Sequence, residues 1–104
     1  MSGGYCVPSS EILAATPAAA YAGPCYLVGA LLISDATNDP KVILYDNATE
    51  ASGTVLAELT FDVSARGIFT LSFFPPKGIR CENGIWVVVS GDNASVIVYY
   101  EERG

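Results

Sequence analysis

Five residues between two apolar runs, Asp46-Asn47-Ala48-Thr49-Glu50, combine two carboxylates with an Asn-x-Thr sequon. Carboxylate pairs catalyse glycoside hydrolysis, oxygen-rich loops bind calcium, and sequons accept glycans. The spacing lacks the alternating Asp and Asn ligands and the closing Glu of an EF-hand loop. Nothing in the pattern places Asp46 or Glu50 across a cleft from a second acid. We therefore interpret the segment as a turn between antiparallel strands, with a looser oxygen-ligand metal site as the less favoured alternative.

A glycan at this sequon, or at the second one, Asn93-Ala94-Ser95, requires entry into a secretory pathway. Residues 1–24 contain no Lys or Arg, and Pro8 and Pro17 interrupt their apolar run, so they do not resemble a signal peptide. No stretch approaches the roughly 18 apolar residues of a membrane-spanning helix. These features predict a chain that is made and kept in the cytoplasm, with unused sequons and no membrane partner.

Residues for nucleophilic or metal chemistry are scarce in this chain. Histidine is absent, which removes the usual proton shuttle and most zinc and iron sites. The three cysteines, Cys6, Cys25 and Cys81, are odd in number and lack a C-x-x-C spacing, so we expect small buried thiols. Arg80, beside Cys81, points to the opposite face of a strand and does not activate that thiol. The sequence predicts no catalytic, cofactor-binding or metal-ligating residue.

The charge balance excludes one class of partner and suggests another. The five Lys and Arg residues are scattered against eleven acids, for a net charge of −6, whereas nucleic-acid binding needs clustered basic residues. The apolar fraction is 51% and the charged fraction only 15%, against about 25% charged in typical soluble domains. This low content of charged residues predicts that some apolar surface is buried in an assembly.

Short apolar runs separated by Gly, Pro, Asn and Asp predict an all-β fold: a single-domain antiparallel β-sandwich or jelly roll of about eight short strands. We expect an extended N-terminal segment over 1–24 and the sandwich domain over 25–104. Pro17–Tyr21, rich in Ala, could form a helical turn, and Asn83-Gly84 resembles a tight hairpin turn. The predicted strands are Ile12–Ala15, Cys25–Ser34, Lys41–Tyr45, Thr54–Phe61, Gly67–Phe74, Ile79–Cys81, Ile85–Ser90 and Ala94–Glu101.

Several predicted strands are apolar on both faces, notably Val42–Tyr45, Tyr26–Val28 and Ile85–Val89. A two-layer sandwich buries one face of each sheet, so a loop, the N-terminal segment or another chain must cover the rest. We favour self-association. Aromatic residues in these runs could instead stack on sugars, although core or interface packing is the favoured role. The candidate interface residues are Tyr5, Val7, Tyr26, Tyr45, Trp86 and Tyr99.

The order of features also resembles a group of small virion proteins of tailed bacteriophages. The motifs that carry the resemblance are LYDNATEASGTVL (44–56), IRCENGIWV (79–87) and ASVIVYY (94–100), and the resemblance covers roughly residues 25–101. It implies a β-sandwich subunit of the particle, a capsid decoration (cement) protein without catalytic activity or cofactor.

Proteins of that group form oligomers, often trimers, over junctions between capsid subunits. The resemblance therefore implies two partners, further copies of this chain and the major capsid protein, on a virion surface assembled in the host cytoplasm. The N-terminal segment, with Tyr5, Val7 and Pro8, is the candidate clamp on neighbouring subunits. The alternative function is a carbohydrate- or receptor-binding module of a head or tail fibre, which would use exposed Tyr side chains and the Asp46–Glu50 loop.

Overall fold

The computed structural model describes residues 7–13, 16–34, 39–60, 69–73, 78–91 and 94–102, with backbone only for 69–73. Within these ranges the chain is all-β and forms no helix. Two antiparallel sheets pack as a β-sandwich, as the sequence predicts. The described strands are β1 (Val7–Pro8), β2 (Ile12–Leu13), β3 (Ala18–Ala22), β4 (Cys25–Ile33), β5 (Lys41–Tyr45), β6 (Val55–Thr60), β7 (Phe69–Phe73), β8 (Ile79–Cys81), β9 (Gly84–Ser90) and β10 (Ser95–Glu102).

Strand order divides the described chain into a six-stranded and a four-stranded sheet. In the six-stranded sheet β1, β10, β4 and β7 lie side by side, β2 also pairs with β10, and β8 also pairs with β4. The four-stranded sheet has the order β3, β9, β5, β6. Each run that the sequence predicts as a strand overlaps one of these ten elements, and β1 and β3 are the two additional strands.

The helical turn predicted for Pro17–Tyr21 is wrong, because Ala18–Ala22 form strand β3 at the edge of the four-stranded sheet. Ala18 pairs with Val87 and Tyr21 with Ile85 of β9. Alanine favours helix by well under 1 kcal/mol per residue, and a short segment cannot pay for helix nucleation. The edge of β9 supplies backbone hydrogen bonds that outweigh this local preference.

The hairpin predicted at Asn83-Gly84 is also wrong. β8 pairs with β4 in the six-stranded sheet, whereas β9 pairs with β3 and β5, so Glu82 and Asn83 carry the chain from one sheet to the other. Gly84 has φ +146°, and a Cβ there would lie 2.5 Å from the carbonyl oxygen of Tyr21. Glycine is therefore required by a close approach between β9 and β3 rather than by a two-residue hairpin.

The N-terminal segment 1–24 contributes strands to both sheets in its described part. Val7 of β1 lies opposite Tyr100 and Ile12 of β2 opposite Val96, both on β10, while β3 joins the other sheet. The Ser9 hydroxyl accepts a hydrogen bond from the Val98 backbone N–H at 2.9 Å, and the Ser9 N–H donates to the Val98 carbonyl at 2.7 Å. The segment is thus extended and hydrogen-bonded within the sheets.

The core lies between the inner faces of the two sheets. Alternation in β4, β5 and β9 places one set of apolar side chains in this space, where Leu27, Leu44 and Val87 are fully buried. Burial of each such side chain stabilises the fold by about 1.5–3 kcal/mol. At one end, the rings of Tyr21 and Tyr100 stack with centroids 4.9 Å apart and join the two sheets.

Candidate functional site

The polar segment after β5 is a turn, as predicted, and it leads directly into the antiparallel partner β6. The Asp46 N–H donates to the Thr54 carbonyl at 2.8 Å and closes the turn. The Asn47 side-chain oxygen accepts from the backbone N–H groups of Thr49 and Glu50 at 2.9 and 3.1 Å. This side-chain-to-backbone bonding is why Asn stands at this position.

The Asp46 carboxylate has a structural role that the sequence does not reveal. One oxygen accepts from the Glu82 N–H at 3.1 Å, and the other accepts from the Asn83 N–H at 2.8 Å. Glu82 and Asn83 form the crossing between the sheets, so the Asp46 carboxylate holds that crossing by hydrogen bonds against the end of β5. The described residues contain no group of three or more His, Cys, Asp or Glu side chains arranged to hold a metal ion.

Cys25 and Cys81 are buried thiols, as predicted, whereas Cys6 lies outside the described residues. The two are direct partners across β4 and β8, and neither has any exposed surface. The hydrogen bond with Cys25, burial and the negative charge of Asp46 raise the pKa of Cys81 well above its usual range. A thiol held neutral in this way is a poor nucleophile at neutral pH.

An open cavity of about 370 Å³ lies beside β2 and β3 and is lined by Ser9, Ser10, Glu11 and neighbouring apolar residues. The Ser95 hydroxyl donates to the Glu11 carboxylate at 2.6 Å. Glu11 is the only titratable side chain among the described residues of its lining. The described part of the lining therefore offers no second acid or base for hydrolytic chemistry.

The most distinctive feature of the surface is an apolar region on the outer face of the four-stranded sheet. We call it the outer patch and define it as Ile43, Tyr45, Val55, Trp86 and Val88. Tyr45 lies opposite Trp86 on one side and Val55 on the other, and Ile43 lies opposite Val88. Direct cross-strand partners project from the same face, so the patch is continuous over β9 and β5 and extends onto β6 at Val55, whereas Glu58 of β6 lies opposite Ile43.

The outer patch exists because β5 and β9 do not alternate between apolar and polar residues. Val42, Leu44 and Val87 face the core with no exposed surface, while Ile43, Trp86 and Val88 on the other face are half-buried. Val55, on the edge side of the patch, is 51% exposed. A solvent-facing sheet surface normally carries polar residues at these positions.

Polar residues bound the outer patch at one end. Lys41 lies opposite Ser90 and Thr60, and its ammonium group contacts the Glu58 carboxylate at 3.4 Å. The two side chains of this ion pair are 44% and 51% exposed, so it contributes little to stability. An apolar centre with a polar margin is the arrangement found in protein interfaces.

The six predicted interface residues do not form one site. Tyr45 and Trp86 are direct partners within the outer patch. Tyr26 and Tyr99 are half-buried on the other sheet, opposite Glu101 and Gly29. Val7 lies on β1 and is 36% exposed, and Tyr5 lies outside the described residues.

The sequence prediction missed Val55, because its place beside Tyr45 depends on the pairing of β5 with β6. Its apolar character within a strand next to a turn is the only local signal, and that signal is shared with core residues. Ile43 and Val88 were recognised only as parts of doubly apolar strands.

Comparisons with protein-family models, curated proteins and solved structures find no match to this chain. No helix in the described part of the chain is long and apolar enough to cross a membrane.

Proposed function

We propose that this chain is a non-enzymatic structural subunit that forms homo-oligomers through the outer patch. The observation that carries the proposal is the outer patch, a cross-strand cluster of apolar residues. It lies on the face of the four-stranded sheet that points away from the other sheet, so the second sheet does not cover it. The occupant we assign to this surface is a second copy of the chain.

Charge supports a second copy meeting this chain at the outer patch. Each chain carries a net charge of −6, so two copies repel unless their contact avoids the acidic surface. The outer patch is uncharged, and Lys41 and Glu58 at its margin are paired with each other. Two such faces can approach without burying an unpaired charge, which would be costly.

Residue type supports an interface as well. Tyr and Trp are enriched in the centres of protein interfaces, where they carry a large share of the binding free energy. A stable interface buries roughly 800 Å² on each partner, of which the outer patch would form the apolar centre. Thr60 and Ser90 would lie at its margin.

The biological setting we propose is the surface of a tailed-phage capsid, where the oligomer acts as a decoration (cement) protein bound to the major capsid protein. The support is the resemblance of residues 25–101 to small phage virion proteins, together with the lack of His and the low charge content. In this mechanism the sheet face forms the oligomer. The N-terminal segment, whose Val7 and Pro8 are exposed, clamps neighbouring capsid subunits.

A carbohydrate-binding module is the second candidate, because Tyr45 and Trp86 are adjacent aromatic residues on an outer face. Sugar-binding sites also need polar groups that are available to the ligand hydroxyls. The polar groups that directly follow Tyr45 in the chain, the Asp46 carboxylate and the Asn47 oxygen, already accept hydrogen bonds from the chain's own backbone. Self-association therefore accounts better for the surface.

The test is sedimentation equilibrium of the full chain and two variants on strand β9. Val88→Glu places a charge in the outer patch, and Ser90→Glu places the same charge two residues away on the same face, at the polar margin. We expect the parent chain and Ser90→Glu to be oligomeric and Val88→Glu to be monomeric with an unchanged far-UV spectrum. A monomeric parent chain at high micromolar concentration, or equal effects of both variants, would overturn the proposal.

The setting is tested separately by co-sedimentation with cognate capsids that lack the chain, and by a glycan array. Binding to capsids, with a blank array, supports decoration. Failure to bind capsids contradicts the capsid setting, and glycan binding that is lost in Trp86→Ala favours the carbohydrate-binding alternative.

A further inference from the structure

Two cysteines face each other inside the sandwich. Cys25 on β4 and Cys81 on β8 are direct partners in the antiparallel ladder, and both have no exposed surface. From this placement we infer that Cys25 and Cys81 are a modification site, which an oxidant of the disulfide class converts into a cross-strand disulfide. The inference is independent of the proposed oligomer.

The geometry of the ladder suits this bond. Directly opposite residues of an antiparallel pair have Cα atoms about 4.5–5.5 Å apart, within the roughly 4.4–6.8 Å that disulfides span. Both side chains project to the inner face, because the next pair along the ladder, Tyr26 and Arg80, lies on the opposite face. The Cys81 thiol donates a weak hydrogen bond to the Ile79 carbonyl at 3.3 Å, within its own strand.

The reaction balances with oxidised glutathione as the oxidant. The thiolate of one cysteine attacks a glutathione sulfur, breaks the glutathione disulfide and releases one glutathione thiolate. The second cysteine thiolate then attacks the protein sulfur of this mixed disulfide and releases the other glutathione. Two electrons pass from the cysteine sulfurs to the glutathione pair, and the two cysteine protons end on the released thiols.

The surroundings predict when the bond forms. Burial keeps glutathione away from both sulfurs in the folded chain, and the raised pKa of Cys81 keeps its thiolate scarce. We therefore expect oxidation during folding and little oxidation of the folded protein. Burial disfavours the Cys81 thiolate on balance, so the thiolate does not favour the reduced form, and the disulfide once formed should resist reduction.

The bond would close a loop that spans more than half of the chain, and it would tie β8 to β4. Closing a long loop lowers the entropy of the unfolded chain and so stabilises the folded state. We expect the oxidised protein to unfold at a temperature several degrees above that of the reduced protein, with the difference abolished by dithiothreitol.

The experiment refolds the full chain from urea with oxidised and reduced glutathione, then counts thiols and maps the bond by mass spectrometry. Cleavage after Glu11, Lys41 and Arg80 separates the three cysteines into different peptides. We expect the thiol count to fall from three to one, and the peptides of Cys25 and Cys81 to be joined. Refolding of Cys6→Ser should give the same bond with no remaining thiol.

Three outcomes would overturn the inference. The first is a bond that joins Cys6 to either buried cysteine, and the second is glutathione retained on Cys25 and Cys81. The third is a Cys25–Cys81 bond in a chain that has lost its far-UV β-sheet spectrum, since the bond would then belong to a misfolded state. Cys25→Ala serves as a matched control, because it removes one partner and should leave Cys81 as a thiol or a glutathione adduct.

Discussion

The inner and outer faces of the four-stranded sheet are made of similar residues but have different surroundings. Val42, Leu44 and Val87 face the other sheet and are fully buried, while Ile43 and Val88, their neighbours in the chain, lie on the outer face and are half-buried. Apolar composition alone does not distinguish a core from an interface. The second sheet of the sandwich accounts for the inner face, and self-association is our explanation for the outer one.

The sharpest test of this difference is the adjacent pair Leu44→Ala and Ile43→Ala. Leu44 is fully buried, so its truncation leaves a cavity and should lower the free energy of unfolding by about 2–5 kcal/mol. Truncation of the half-buried Ile43 should cost the monomer about 1 kcal/mol or less and weaken association instead. Urea denaturation at low protein concentration measures the first effect, and sedimentation measures the second. Equal losses of monomer stability would show that the outer patch belongs to the core.

The turn after β5 provides the next test, because it is polar but supports the inner structure. Asp46→Asn removes the negative charge from two hydrogen bonds to the sheet crossing and should cost about 1–3 kcal/mol. Glu50→Gln is the matched control, since the Glu50 carboxylate accepts one hydrogen bond, from Ser52 within the same turn. We expect denaturant midpoints to fall for Asp46→Asn alone and sedimentation to be unchanged for both. A loss of association in Asp46→Asn would instead make the turn part of the interface.

The stacked tyrosines at the end of the core predict a dependence of stability on pH. Partial burial and the Glu102 carboxylate, to which the Tyr21 hydroxyl donates at 3.1 Å, raise the pKa values of Tyr21 and Tyr100. As the pH rises, the two tyrosine hydroxyls lose their protons in the unfolded chain before they do so in the folded chain. The stabilisation that they give the folded state is therefore complete below pH about 10 and declines as the pH rises further. Melting temperatures between pH 8 and 11 should fall less in Tyr21→Phe/Tyr100→Phe than in the parent chain. Parallel curves for the two proteins would contradict the assignment.

The smallest effect is expected from the ion pair at the margin of the outer patch. A double-mutant cycle with Lys41→Met and Glu58→Gln should give a coupling free energy of about 0–1 kcal/mol that decreases with added salt, because both side chains are substantially exposed. A larger, salt-independent coupling in the oligomer would mean that the pair is buried there. That result would extend the interface beyond the apolar residues.

Much of the strand pattern could be predicted from the sequence, because β-structure leaves a local signal. The predicted bounds of β5 and β8 agree with the structure. The predicted bounds are wrong by one residue, at one or both ends, for β4, β6, β9 and β10. The turn at Asp46–Glu50 was predictable from Asp and Asn between two apolar runs. The errors at Ala18–Ala22 and Asn83-Gly84 share a cause: each segment's conformation depends on a partner strand that is distant in sequence.

The candidate site was predictable only in part. Tyr45 and Trp86 were identified as interface candidates, but Val55 was not, and Tyr26 and Tyr99 lie on the other sheet. Residue type shows that a side chain is suited to an interface, whereas cross-strand register decides which side chains are neighbours.

The sequence by itself determined the fold class, the turn at Asp46–Glu50, the excess of apolar strand faces and the absence of imidazole chemistry, since these depend on composition and on the two-residue period of a strand. The tertiary structure alone decided which apolar face became the core. It also brought the Asp46 carboxylate to the sheet crossing and placed Cys25 opposite Cys81. The physical reason is that strand pairing joins residues far apart in the chain, and no local pattern of side chains encodes those partners.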